Sequence, residues 1–411
     1  MTNAQPTPED ELAIDVLIIG GGIQGLLILD RLTAEGRSCA LVTASDVGTG
    51  QTLHSHGLLN AGFGMMGPEL IRLLQEVVLP DLARRGIETY GQWGAIVPPT
   101  FPEGELMEPL PGLALRGGRF QRLAEVNVDK RALLEGLVKG LEDRIVRGAV
   151  VGVRRAATGQ VEGIDVAAQA GSPALVFTPS AVVVSSGTGT KAMLRRLGAG
   201  EEQLEPIKHR RVHVLCVRGP KEVLPTLNVM SFPDQLFLAA HERDSTVTWY
   251  ATPMEWAAPH IEDVPGDAAT EVDPAFITRG WNTMFELYPP LRSLPDLSFT
   301  SYAGYRQDVG DMPGVTKCER IDAAPNVIAA LPSGLLGAWP VAAGTSALVR
   351  EIVDQVRPQP LIPGGGQGVR VGLDHEDAAG LAWDQPLVAV SVSPPTGSAL
   401  PSRATRTEIG D

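Results

Sequence analysis

The chain has 411 residues, 44% hydrophobic and 20% charged, and its 34 Lys and Arg against 48 Asp and Glu give a net charge of −14. That length and apolar content support two or three domains with real cores, while the acidic balance repels phosphate backbones and argues against a nucleic-acid partner. The three cysteines, Cys39, Cys216 and Cys318, form neither a disulfide framework nor a zinc pattern and fit a reducing, cytoplasmic setting.

Residues 1–12 are expected to be flexible, and Met1 to Glu11 has neither the basic nor the apolar region of a signal peptide. Ile14 to Ile19 is a short β-branched run that reads as a buried parallel strand. Gly20-Gly21-Gly22-Ile23-Gln24-Gly25 follows at once, and Ile23, Leu26, Leu27 and Leu32 then recur at helical spacing up to a stop at Gly36. Ser38 to Thr43 reads as a second buried strand, completing the βαβ unit that opens a Rossmann-type sheet.

In that setting Gly20 permits the tight turn, Gly22 lets the backbone approach a pyrophosphate, and Gly25 lets helix and strand pack closely. The helix N-terminus adds N–H groups and a partial positive charge. The competing reading is a glycine-rich structural turn. The carboxylate usual at the tip of the second strand is missing: Thr43 stands there, with Asp46 beyond it, and either is a candidate for the ribose.

Pro68 to Arg85 is predicted as an amphipathic helix, Tyr90 to Arg122 as irregular strands and loops, and Val128 to Ile145 as a helix N-capped by Asp129. Val146 to Arg154 and Gly159 to Thr178 alternate like strands, and Ala181 to Val184 is a buried strand running into Ser185-Ser186-Gly187. A second region, His209 to Ser301, holds strands such as Val212 to Val217 and Thr246 to Tyr250. Its aromatics Trp249, Tyr250 and Trp256, with Tyr302 at its edge, are those expected of a substrate chamber. Asn326 to Ala330 returns to a buried strand, Pro340 opens a helix to about Val356, and 357–411 reads as a mostly disordered tail. Val327 to Val349 carries no charge, yet Pro332, Gly334, Gly337, Pro340 and Gly344 break it, so no membrane span is expected. The absence of a Gly-x-Ser-x-Gly elbow, a P-loop lysine or a paired-carboxylate motif excludes hydrolase and NTPase readings.

Val16 to Ile23, Gly48 to Gly57, Asn127-Val128-Asp129, the strand into Gly187, Gly304-Tyr305-Arg306 and Asn326 to Pro340 follow one another in a telling order. In that ordered set the chain resembles the D-amino-acid oxidase and glycine/sarcosine oxidase superfamily, which includes dimethylglycine, glycerol-3-phosphate and 2-hydroxyglutarate dehydrogenases. The resemblance implies an α/β fold: a Rossmann-type FAD-binding domain (13–89, 126–206 and 303–356) with an inserted α+β substrate domain (90–125 and 207–302) built on an antiparallel sheet. It implies FAD contacts from Gly20, Gly22, Ile23, Gln24, Gly25 and Thr43. A flavin loop would contribute Gly50, Gln51, Thr52, His54, Ser55, Gly57 and Leu58; Val151 would meet the adenine through its backbone, and Ser186 and Gly187 would approach the dinucleotide. Gly334, Leu335, Leu336, Gly337 and Ala338 would wrap the flavin ring, and the Pro340 helix would point its N-terminus at the N1–C2 carbonyl edge, favouring the anionic reduced flavin.

His54 has three readings. In the dimethylglycine dehydrogenase branch a Thr-x-His-x-x-Gly stretch carries a histidine bonded covalently to the flavin, and Thr52 to Gly57 is similar. A metal at His54 and His56 lacks a visible third ligand, so no metal is expected. Hydrogen bonding to the cofactor or the loop is the third. Where the hydroxy-acid and glycerophosphate branches commonly carry a histidine, Asn60 stands here, with His56 the candidate replacement base. An amine needs no such base, which favours amine oxidation. Arg306 is similar to the arginine of the amino-acid oxidases' Gly-x-Arg-Pro segment and would clasp a substrate carboxylate with its two-pronged guanidinium; pairing with Asp308 or Asp311 is the structural alternative. The arginine that family members often carry near Ser333 is absent, which points to a different substrate.

The expected protein is thus a cytoplasmic FAD-dependent oxidoreductase. It would take a small carboxylated amine or amino acid and pass electrons to oxygen or a carrier. The alternatives are a FAD-dependent dehydrogenase of a hydroxy acid or polyol phosphate, a non-catalytic flavoprotein subunit, and an NAD(P)-binding protein without flavin.

Overall fold

The computed structural model describes residues 11–59, 71–72, 74–168, 175–253, 260–261, 273–309 and 317–331. Its first sheet is built on apolar runs too short for helices and buried on both faces. Cys39–Thr43, Glu11–Ile19, Leu175–Val184 and Ala324–Leu331 lie side by side in that order, all parallel. The start of Ile145–Arg155 extends the parallel row beyond Cys39–Thr43, and its remainder turns back antiparallel through Val161–Ala168 to Leu175–Val184. Lys317–Ile321 closes the other edge antiparallel. Ile23–Ala34 and Lys130–Val138 cover one face, sharing a core of Leu26, Leu29, Leu133, Leu134 and Leu137.

Ala181 to Val184 is only the end of its strand: the Leu175–Val184 strand passes straight through Pro179. Pro179 lies opposite Ile14 in the ladder with Glu11–Ile19, and on its other side the pairings with Val161–Ala168 stop at Phe177 and those with Ala324–Leu331 begin at Val182, which leaves a gap where no N–H is needed. The helix predicted over Val128 to Ile145 stops at Val138; Gly140, at φ +83°, reverses the chain, and Ile145 already pairs with Leu41. Asp129 caps it, accepting from the N–H groups of Arg131 and Ala132 at 2.8 and 2.9 Å. Within the predicted Pro68 to Arg85 helix, Leu74–Val78 winds as one wide π-helical turn before Leu79–Arg84.

The second sheet has eight strands. Ile207–Pro220 sits between Ser298–Val309 on one side and Thr246–Pro253 and His260–Ile261 on the other; beyond Thr246–Pro253 follow Leu236–Arg243, Val229–Ser231, Trp93–Val97 and Arg119–Leu123. Its pairings are antiparallel except between Val229–Ser231 and Trp93–Val97. The stretch from Tyr90 to Arg122 therefore supplies regular strands where irregular ones were expected, and Trp93–Val97 is buried along its whole length. Ser298–Val309 runs unbroken across residue 303, where a domain boundary was placed. One face of the sheet is covered by Pro274–Leu287, with Trp249, Leu215, Val217, Trp281 and Phe285 between them. The other face meets the loop that leaves the first sheet.

A small sheet of Leu58–Leu59, Val126–Val128 and Thr89–Tyr90 joins the two larger ones. At its centre Asn127, fully buried, accepts from Trp93 Nε1 at 2.9 Å and donates to Asn228 Oδ1 and the Ala240 carbonyl at 2.8 and 2.9 Å. Asn127→Ala would strand the Trp93 indole N–H and the Ala240 carbonyl in the interior and leave Asn228 Oδ1 with the Ala240 N–H alone. A loss of about 2–4 kcal/mol is expected, read as a lower urea midpoint with an unchanged slope.

Candidate functional site

The parallel strands end together, so Gly20, Ser185 and the tip at Thr43 emerge on one edge of the first sheet, the place where open α/β sheets bind ligands. Gly20, at φ +127°, leaves so little room that a Cβ would stand 2.2 Å from the Ser185 carbonyl oxygen. A Cβ on Gly25 would stand 2.0 Å from the Gly20 carbonyl oxygen, so the helix can sit against the strand only because position 25 has no side chain. At Gly22 the nearest atom is Thr52 Oγ1 at 3.5 Å, which leaves that backbone open to an incoming group. The helix that follows has no side-chain cap and no acidic residue in its first turn, so its partial positive charge is uncancelled.

Residues 15–105, which take in the end of this strand, the turn and the helix, match the family model described as DAO, FAD dependent oxidoreductase. Over those residues the chain is similar to that family of FAD-dependent oxidoreductases. A probable FAD-dependent oxidoreductase of Pseudomonas aeruginosa is 24% identical over 396 residues, covering 84% of this chain and 90% of that protein. Its crystal structure superposes with a TM-score of 0.63 at 21% identity, over 86% of this chain and 94% of that one. A glycine oxidase from Geobacillus kaustophilus (TM-score 0.62, 17% identity, 84% and 94% covered) shares the fold. So does a glycerol-3-phosphate dehydrogenase from Bacillus halodurans, at TM-score 0.60 and 16% identity, with 85% and 66% covered.

The residues present fit a dinucleotide. Gln24, buried at the helix start, accepts from Ser185 Oγ at 2.9 Å, and its Nε2 has no hydrogen-bond partner among the described residues. Ile23 is held differently: its N–H donates to Thr52 Oγ1 at 3.1 Å, which ties the expected flavin loop to the glycine turn. Gly187 lies across from that loop, since a Cβ on it would stand 3.5 Å from Gln51 Oε1. Ser186 Oγ donates to the Ile19 carbonyl at 2.9 Å, which places Ser186 and Gly187 beside Gly20. Thr43, Gln51, Thr52, Ser186 and the glycines are therefore neighbours in space.

Other expected contacts are engaged elsewhere. Thr43 packs against Gly21 and donates its hydroxyl to the Ser45 carbonyl at 2.9 Å, so towards a ribose it has only lone pairs to offer. Asp46 is not swung back, because Arg147 Nη1 holds it at 2.7 Å. Val151 is the extra residue of a bulge between Val150 and Gly152, and its carbonyl already accepts from Arg196. Leu58 is buried with Trp93, Ala95, Val97, Met230 and Ala239. Asn60, Trp256 and Asp311, the loop of Gly334, Leu335, Leu336, Gly337 and Ala338, the Pro340 helix and the 357–411 tail lie outside the described residues.

The loop from Gly50 to Gly57 is fixed by many bonds. The His54 ring meets the Gly50 carbonyl through Nδ1 at 3.0 Å; a carbonyl only accepts, so Nδ1 carries the proton and Nε2 keeps the lone pair. Burial lowers the basicity of His54, which keeps the ring neutral at pH 7. Ser55 Oγ donates to the Thr52 carbonyl at 2.7 Å and accepts from Gly57 N–H at 3.3 Å. Gly57, at φ +67°, lets the loop pass against His241 and Val128, where a Cβ would stand 2.8 Å from the His241 ring and 2.7 Å from the Val128 carbonyl oxygen.

The second sheet presents one face to this loop. Tyr302 OH donates to the His54 carbonyl at 2.9 Å, and a Cβ on Gly304 would stand 3.6 Å from His54 Cβ. Alternation along the strand puts half-buried Arg306 on that same face, directly opposite Arg210 in the ladder. Tyr250, Val214 and Cys216 continue the face as an apolar cluster with Tyr302.

His56 points into the sheet: its Nε2 shares a 2.7 Å hydrogen bond with Thr252 Oγ1, its ring meets Phe237 edge-on, and burial drops its pKa to about 3. His241 donates to the His56 carbonyl through Nε2 and accepts from Tyr90 OH at 2.7 Å, with its pKa lowered by burial to about 4. Lys130, which sequence reasoning missed, reaches the loop from the start of its helix. The sequence did carry a signal, because a basic residue in a helix's first turn opposes the macrodipole.

Both buried histidines stay neutral in the folded protein, whereas in the unfolded chain they take up protons below 6.5. Stability is therefore fully present above that pH and is lost as pH falls towards 4. The expected slope is about 1.4 kcal/mol per pH unit for each histidine. Urea midpoints measured from pH 7 to 4.5 would show it, and His241→Gln would flatten the dependence.

Proposed function

We propose that this enzyme oxidises a small carboxylated amine or amino acid. The first sheet, with its glycine turn and the Gly50–Gly57 loop, would hold FAD, and the face of the second sheet that meets this loop would form the substrate chamber. The observation that carries the choice of substrate is the state of His56. A ring already bonded to Thr252, with a pKa of about 3, is too weak and too committed to take an alcohol proton. A neutral amine needs no such base.

Arg306, opposite Arg210 on that face of the second sheet, would clasp the substrate carboxylate with a guanidinium that is charged at any working pH. Tyr302, Tyr250 and Val214 supply the dry wall against which the substrate carbon would be held. FAD held along the Gly50–Gly57 loop would supply the two-electron acceptor for this oxidation. Gly20, Gly22, Gly25 and the helix they open would hold the pyrophosphate, and Gln24 Nε2 and the N–H groups of that helix are the donors at hand. The glycine oxidase that shares the fold fits this reading, whereas the glycerol-3-phosphate dehydrogenase keeps the alcohol reading in play.

His54 is the candidate for covalent attachment, because its neutral ring presents an unprotonated Nε2. Acid precipitation would then keep the yellow colour with the pellet, and His54→Ala would release it to the supernatant.

For the substrate, the purified yellow protein would be mixed anaerobically with amino acids, secondary amines, 2-hydroxy acids and polyol phosphates. Bleaching by carboxylated amines is expected, with Arg306→Lys raising KM by about 10–100-fold at a nearly unchanged kcat. Bleaching by hydroxy acids alone would overturn the reading, and no bleaching by any compound would favour a non-catalytic flavoprotein.

A further inference from the structure

Lys130 stands at the first position of its helix, almost fully buried, and its side chain runs away from that helix into the loop. Its Nζ donates to the Leu53 carbonyl at 2.8 Å and to the Ser55 carbonyl at 2.7 Å, the two residues that flank His54. Between them the His54 carbonyl takes the Tyr302 hydroxyl. Three consecutive carbonyls are thus captured by side chains from two other elements. These are the groups that a one-turn helix, Gln51–His54, leaves without intrahelical partners. The same ammonium lies 4.9 Å from the centroid of the Tyr250 ring, on the chamber face of the second sheet. A neutral donor would satisfy the carbonyls, so the retention of a desolvated cation calls for a use of its charge.

We infer that Lys130 is a positioning residue: its charge clamps the backbone on either side of His54 and so holds the flavin loop in its cofactor-binding shape. This rests on the reading of Gly50–Gly57 as the flavin loop. The charge also has a second effect. Together with burial it disfavours protons on His54, His56 and His241, so the loop holds one fixed cation and neutral imidazoles.

The clamp should loosen when Lys130 loses its proton, because two charge-assisted hydrogen bonds become neutral ones about half as strong. Burial brings its pKa down to about 8, within reach of mild alkali. The titratable groups around it are Asp129 on its own helix, His54 and His56 on the loop, His241 and Tyr250 on neighbouring strands, and Cys216 beyond. The neighbouring histidines lose their protons well below that pH, burial pushes Cys216 up to about 12, and Tyr250 is raised further above its ordinary value. An inflection near 8 in a property of the loop would therefore belong to Lys130.

The test uses the full chain, with FAD removed and added back. In the unaltered protein, FAD affinity should weaken at least ten-fold between pH 7 and 9.5, with an inflection near 8. Hydrogen exchange at 53–57, corrected for its intrinsic pH dependence, should accelerate over the same range while the strand Thr246–Pro253 stays protected. Lys130→Met should bind FAD at least ten-fold more weakly at pH 7 and lose the inflection, and Lys130→Arg should restore part of the affinity. A flat profile in the unaltered protein, or an inflection that survives in Lys130→Met, would overturn the proposal. Should Lys130→Met not fold, the profile of the unaltered protein decides alone. A protein that never takes up FAD would sink the underlying reading instead, and the exchange profile would then decide separately whether the clamp exists.

Discussion

Everything near the site depends on one close approach between backbones. The chain leaving Glu11–Ile19 passes so near Ser185 that position 20 has no room for a side chain, and the following helix sits so near the turn that position 25 has none either. With both contacts made, the helix N-terminus is carried to the edge of the sheet and Gly22 is left bare. Thr52 then fastens the loop to the first free N–H of that helix. The loop's position follows from the turn, and which face of the second sheet meets it follows from the loop. No single strong bond does this; steric exclusion does.

A second constraint is the treatment of charge. Lys130 from its helix, His54 and His56 from the loop and His241 from the second sheet come together here, and only the lysine remains ionised at neutral pH. Each imidazole is fixed in one protonation state by a partner that can only accept or by the loss of solvent. The site is therefore electrostatically simple despite its composition. Arg306 and Arg210 add positive charge further along the second sheet, opposite one another in the ladder, an arrangement suited to an anionic substrate group.

The glycine turn and the parallel strands were legible because each shows as a local pattern: an apolar run, or glycines at fixed offsets. Asn127 was not, and Lys130 showed only as a basic residue opposing its helix dipole, since the roles of both consist of contacts to residues distant in sequence. Nothing in Asn127-Val128-Asp129-Lys130 announces Trp93, Asn228 or Leu53. The buried strand Trp93–Val97 was obscured by flanking glycines and prolines, and the helix after Asp129 was drawn too long because Ile145 continues an apolar run into a strand. His56 illustrates a different gap. Its residue type suggested a base, and only burial and the Thr252 contact show how weak a base it is.

The central sheet is assembled from segments that lie far apart along the chain, and this dictates an order of assembly during synthesis. The strand Glu11–Ile19 emerges from the ribosome early, yet its neighbour Leu175–Val184 follows more than a hundred and fifty residues later, and Ala324–Leu331 later still. The glycine turn cannot find Ser185 until the segments between them have been made. Such a chain cannot complete its N-terminal half first and then proceed. Its nascent strands wait with unpaired edges, which makes shielding from aggregation a condition of its production in the cell.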